Sequence, residues 1–100
     1  MSAKLLSNRI CQLRIAMRLP QKQIASELGI NTPMYCRIEK GERNVRYDYL
    51  EPLSSLLNVS IDELRSLWLA DKILTLNCDI SDLILSKATA LIKMSRNENK

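Results

Sequence analysis

Between Gln21 and Gly41 the chain reads QKQIASELGINTPMYCRIEKG, and this stretch gathers the side chains best suited to recognition. Thr32, Pro33, Met34, Cys36 and Arg37 lie where Tyr35 and Ile38, at helical spacing, point the other way. An arginine so placed can reach guanine O6 and N7 with two hydrogen bonds, worth roughly 1–3 kcal/mol of discrimination, and its alternative is a phosphate contact. Thr32 can bond a base or a phosphate, whereas Pro33 and Met34 can only pack, as against thymine methyls. Cys36 is a weak donor, or else a small filler where a helix must come close to its ligand. Gln21, Lys22, Lys40, Arg43 and Asn44 flank these residues and suit phosphate oxygens, which position a protein without specifying sequence. Arg46 and Arg9 are secondary candidates for that role, and a solvated surface charge is the plainer reading of Arg9.

Other chemistry is poorly supplied. The 100 residues contain no His, no glycine-rich phosphate loop and no nucleophile with a nearby base, so catalysis is not expected. Cys11, Cys36 and Cys78 are odd in number and far apart, with no C-x-x-C, so neither a zinc site nor any cofactor is expected. Reduced thiols in a cytoplasmic protein are the simplest reading. Cys36 has no neighbouring cysteine or activating cluster to make it a redox sensor. The N-terminus lacks the apolar run of a signal peptide, no segment approaches membrane-spanning length, and no residues remain for a separate ligand-sensing domain.

The elements that must position these residues are helical. Aliphatic content is high, Phe is absent, and Gly and Pro are scarce, which predicts an all-α chain. Leu6, Ile10, Leu13 and Met17 set a buried stripe on a first helix over Leu5–Leu19, stopped by Pro20. A second helix runs from Gln21 to Leu28 with Ile24, Ala25 and Leu28 on one face. Its free N-terminal amides suit a phosphate, and Gly29 supplies the left-handed turn. A third begins at Thr32 or Pro33, capped by Asn31 or, preferably, Thr32, and ends at Gly41; Tyr35 is core with its hydroxyl reaching the surface. Two short helices joined by a tight glycine turn form a helix-turn-helix, whose second helix can enter the DNA major groove.

A fourth helix, about Tyr49 to Leu57, carries Leu50, Leu53, Leu56 and Leu57 inward; Pro52 predicts an irregular start, Asp48 with Glu51 a capping pair and Asn58 a left-handed stop. Ser60 and Glu63 form a capping box that opens a fifth helix to about Leu76. A break at Asn77–Cys78 precedes a sixth helix, capped by Asp79 and striped with Ile80, Leu83, Ile84, Ala88, Leu91 and Ile92, and Ser95–Lys100 reads as a disordered tail. Charge is uneven: residues 1–46 carry nine Lys/Arg against three Asp/Glu, residues 47–100 six against eight, within a net +4. A basic N-terminal half fits a phosphate-facing surface.

With these residues in place the chain resembles the Cro/repressor-type (XRE-type) helix-turn-helix regulators. The matching features are L-x-Q-x-x-I-A at Leu19–Ala25, Leu28-Gly29-Ile30, Arg37-Ile-Glu-Lys-Gly41, a leucine-rich helix, and Leu57-Asn-Val-Ser-Ile-Asp-Glu-Leu64. The TPMY-R-IE-G and LWLADK segments are also similar to those of a subgroup of small bacterial regulators. The resemblance covers about Leu6 to Leu69. It implies a five-helix DNA-binding domain, function as a homodimer on a palindromic double-stranded operator, and an ion pair between Arg14 and Glu39 that fixes the recognition helix. The chain departs from the family pattern at Pro20, where Ser or Thr is usual, and at Pro33, Met34 and Cys36, where polar base-reading side chains are usual.

The expected organisation is thus a helix-turn-helix domain over 1–76, a C-terminal helix over 77–94 packed on helix five, and a tail over 95–100. Trp68, Leu76, Ile80, Leu83, Ile84, Ala88 and Leu91 are more apolar surface than one small layer needs, and a symmetric dimer interface would cover it. Two recognition helices must lie about 34 Å apart to reach successive major-groove faces. The function so implied is a transcriptional regulator, a repressor or autoregulator. The alternative is an antitoxin or restriction-modification controller whose C-terminal helices also bind a protein partner.

Overall fold

Six α-helices and one 3-10 turn make up the computed structural model, which describes residues 4–76 and 80–98, and side chains as far as 96. They are α1 (Leu5–Ala16), α2 (Gln21–Leu28), α3 (Thr32–Glu39), a 3-10 turn at Tyr47–Tyr49, α4 (Leu50–Leu57), α5 (Ile61–Thr75) and α6 (Asp82–Glu98). No strand occurs among the described residues.

The aliphatic stripes meet in one core. Leu6 and Ile10 of α1, Ile24 and Ala25 of α2, Tyr35 and Ile38 of α3, Leu50, Leu53 and Leu57 of α4, and Leu64 of α5 are buried. Val45, from the connection between α3 and the 3-10 turn, is buried with them. Each fully buried Leu or Ile is worth about 1.5–3 kcal/mol against exposure, so this cluster carries the fold. α1 packs on α3, α4 and α5, α2 on α3 and α4, and α4 on α5.

Several boundaries depart from the sequence reading, each for a local reason. The first helix stops at Ala16, not Leu19. Arg18 takes a left-handed φ of 57°, and the Leu19 amide turns back to the Arg14 carbonyl at 3.1 Å. Met17, expected in the buried stripe, is exposed. Asn31 rather than Thr32 caps α3: its side chain accepts from the Met34 amide at 2.8 Å, leaving Thr32 and Pro33 as the first two helical residues. A proline there removes an amide that has no partner in the helix anyway. Asp48 caps nothing, and instead lies 3.7 Å from Arg46. The 3-10 turn is the irregular start that Pro52 implies, and it leaves Pro52 in the first turn of α4, where its missing N–H costs nothing. Ser60 does cap α5, accepting from Asp62 N at 3.2 Å, but Glu63 turns away from the box to pair with Arg9 at 3.3 Å.

The C-terminal helix differs most. The expected break at Asn77–Cys78 and the expected cap Asp79 lie outside the described residues. Ser81 Oγ accepts from the Ile84 amide at 3.2 Å and does the capping. The helix runs on to Glu98, beyond the expected end at Met94, since Ser95–Glu98 contains no Gly or Pro to stop it. Among the described residues α6 supplies no side chain to the core, and Leu83, Ile84, Leu85, Leu91, Ile92 and Met94 are all exposed; its end comes beside α5, where Arg96 shares a cleft with Asp62, Arg65 and Leu69.

Candidate nucleic-acid interface

Gly29 builds the corner between α2 and α3. Its φ of +72° is open to glycine at little cost, and it lets the Ile30 amide close onto the Ala25 carbonyl at 3.0 Å. Ile24 and Ala25 on one side and Tyr35 and Ile38 on the other then seal the two helices to the core. The residues between those anchors face outward. On α3, Pro33 and Arg37 are exposed, and Thr32, Met34 and Cys36 are partly exposed. Lys22 at the start of α2, and Lys40, Arg43 and Asn44 after α3, are exposed as well.

A polar network sets the angle of α3 against α1. Arg14 donates from Nε and Nη2 to the two oxygens of Glu39, the second at 3.1 Å, and from Nη1 to the Leu19 carbonyl at 2.9 Å. The two side chains are only 15% and 5% exposed, so each needs the other. Gln21 extends the network: its amide donates to Glu39 at 3.1 Å, and its carbonyl oxygen accepts from the Cys36 thiol at 3.0 Å. Gln21 and Cys36, nominated for contact with a ligand, are therefore also partners of each other within the chain.

The electrostatics follow from that geometry. Burial alone would raise the Glu39 carboxyl, but the hydrogen bonds donated by Arg14 and Gln21, with the Arg14 charge, hold the group below its ordinary 4.5. The hydrogen bonds that Arg14 donates to Glu39 raise its guanidinium above its ordinary range. Tyr35 is fully buried, hydroxyl included, so the expected surface-reaching hydroxyl is corrected. Burial, then Glu39, pushes its phenol far up, and it stays protonated. Burial and the Glu39 charge likewise push the Cys11 thiol up. Among the described residues no cluster of His, Cys, Asp or Glu could hold a metal, and Cys11 and Cys36 are free thiols.

Of the secondary cations, Arg46 is highly exposed beside Asp48 and 6.0 Å from the Tyr49 ring. Arg9 is engaged by Glu63 of α5. Two features escaped the sequence reading altogether. Asp71 of α5 accepts from the Leu5 and Leu6 amides at 3.0 and 3.1 Å and so caps α1, which has no cap of its own. Trp68 donates its indole N–H to the Val45 carbonyl at 3.0 Å. Both contacts join residues far apart in sequence, where no local pattern signals them.

The Arg14–Glu39 ion pair, the glycine corner and the outward face of α3 define a helix-turn-helix domain of the DNA-binding kind. Residues 12–64 match the family described as helix-turn-helix, and the chain belongs to that family, in its XRE/Cro-type form. Over 67 residues it is 33% identical to a protein of Vibrio cholerae serotype O1 (strain ATCC 39315 / El Tor Inaba N16961) named cryptic phage CTXphi transcriptional repressor RstR. That match covers 67% of this chain and 60% of the relative's length. No solved structure matches the chain. No described helix is long and apolar enough to cross a membrane.

Proposed function

We propose that this chain is a sequence-specific transcriptional regulator, a repressor or autoregulator, that binds a palindromic operator as a homodimer in the cytoplasm. The observation that carries the reading is the outward face of α3, with Pro33 and Arg37 exposed between the cations Lys22, Lys40 and Arg43. The name of the Vibrio cholerae relative supports the regulatory part. Arg37 is the principal base reader, and Thr32, Pro33, Met34 and Cys36 shape its fit to the groove. Lys22, Lys40, Arg43 and Asn44 hold the two phosphate strands. Gln21 contributes by orienting Cys36 and Glu39, to which its amide is committed.

Dimerisation falls to the C-terminal helices. Leu83, Ile84 and Leu91 of α6 and Leu76 after α5 are all exposed in the single chain, more apolar surface than a lone helix keeps in water. Ile80 and Ala88 extend the same stripe. A second copy would bury it and set the spacing of the two recognition helices. Trp68, nominated for the same interface, is engaged within its own chain by Val45 and Tyr47.

Duplex binding of two variants tests the base-reading assignment. Arg37→Ala should weaken binding to a selected operator by roughly 1–3 kcal/mol and barely change binding to random DNA. Arg43→Ala should weaken both and lower the salt slope by about 1. Equal losses on both DNAs for Arg37→Ala would remove it from the readers.

A further inference from the structure

Val45 divides the turn that follows α3: Lys40, Arg43 and Asn44 lie before it, exposed, and the 3-10 turn begins two residues after it. A turn of this kind holds a phosphate contact only if its backbone is held still, because each mobile residue must otherwise be ordered on binding. Two attachments hold this one. The Val45 side chain is buried in the core, and the Val45 carbonyl accepts from Trp68 Nε1 at 3.0 Å. Trp68 itself has two further neighbours at its ring. Tyr47 meets it edge to face at 4.9 Å, and the Lys72 ammonium lies 5.2 Å from its ring centroid. The Arg65 guanidinium sits 5.8 Å from the Tyr47 ring. Arg43, Asn44, Val45 and Trp68 line one small cleft of about 130 Å³, so the indole stands directly behind the turn.

We propose that Trp68 is a positioning residue for DNA binding: it holds the Arg43–Asn44 turn in the geometry that meets a phosphate. It acts through Val45 and not by touching DNA. This rests on the reading of that turn as a phosphate contact. It also gives α5 a double task, since Asp71, one helical turn on from Trp68, caps α1. The helix that precedes the exposed apolar stripe is thereby bonded to both the scaffold and the DNA-facing turn.

The test is a double-mutant cycle on the full chain with Trp68→Phe, which keeps an aromatic ring against Tyr47 while removing the indole donor, and Arg43→Ala. Binding to a random-sequence duplex is measured across a salt series, with amide exchange at Asn44 and Val45 followed in parallel. Trp68→Phe should weaken binding roughly three- to tenfold, the worth of one hydrogen bond, and make the salt dependence shallower. In the Arg43→Ala background it should add almost nothing, because the contact it positions is gone. Exchange at Asn44 and Val45 should quicken, and sedimentation should match the parent chain.

An undiminished affinity in Trp68→Phe, or a full additional loss on top of Arg43→Ala, overturns the positioning role. Loss of the dimer in Trp68→Phe overturns it in favour of a subunit contact. An unchanged salt slope in Arg43→Ala alone, with exchange still quickened by Trp68→Phe, overturns the phosphate reading of the turn while the clamp stands. The two failures are thus distinguishable.

Discussion

Leu64 and Leu83 are the same residue on consecutive helices, yet the first is 0% exposed and the second 64%. The difference separates two regions that solve the same problem differently. From α1 to α5, each apolar stripe finds a partner inside the chain, and the core closes through residues from every helix. In α6 the backbone bonds are satisfied by the helix itself, but among the described residues its apolar side chains are exposed and add nothing to the core. The core's stability is therefore a property of one molecule. Burial of the α6 stripe against a second copy would depend on concentration, by mass action. The proposed operator binding needs both: a fixed α3 from the first region, and a fixed distance between two α3 helices from the second.

Separate perturbations should affect the two regions separately. The largest effect is expected from Glu39→Ala, which strands a largely buried Arg14 and frees the Gln21 amide. Denaturant unfolding should show a loss of about 3–5 kcal/mol, and a loss under 1 kcal/mol would mean the ion pair does not hold the core. Its pH dependence has a definite sign. The folded Glu39 carboxyl lies below its ordinary 4.5, so the stability it supplies is complete above that value and fades as pH falls through the folded one. The gap between the parent and Glu39→Gln should shrink on acidification in that window, and a gap that widened would reverse the assignment.

Next comes Leu83→Asp combined with Leu91→Asp. The core should melt as before, since neither residue touches it, while sedimentation shows a monomer and operator affinity falls roughly 10²–10⁴-fold from lost bivalency. A persistent dimer would place the interface elsewhere. A parent chain that is already monomeric would favour a different protein on the α6 face. The smallest effect is local to the recognition helix: Asn31→Ala should cost about 1 kcal/mol for the lost cap, and Thr32→Ala clearly less in stability. Equal costs would return the cap to Thr32.

Much of the core was legible because its signals are local. Gly29 and Asn58 mark left-handed stops, Ser60 an N-cap, and the Leu and Ile spacing gives each buried face. Arg14 and Glu39 came from family resemblance, since 25 residues separate them and no periodicity links them. What stayed hidden is set by tertiary contact. Arg18 breaks α1 early, where the chain folds back so that Leu19 can offer its carbonyl to Arg14. Gln21 looked like a free amide until Cys36 and Glu39 were brought beside it. Trp68 looked like surplus apolar surface because its partner, the Val45 carbonyl, is a backbone atom that no side-chain pattern announces. Pro33, Met34 and Cys36 carry few hydrogen-bonding groups, so the readable part of the recognition helix does not extend to a target sequence.

The most direct measurement is selection of bound fragments from a random pool of duplex DNA by the full chain. The expected product is a family of sequences with two inverted half-sites whose centres lie about one helical turn, roughly 10 base pairs, apart, or a whole multiple of it. Enrichment of a single asymmetric site would contradict the dimer, and no enrichment over random DNA would contradict sequence-specific recognition by α3.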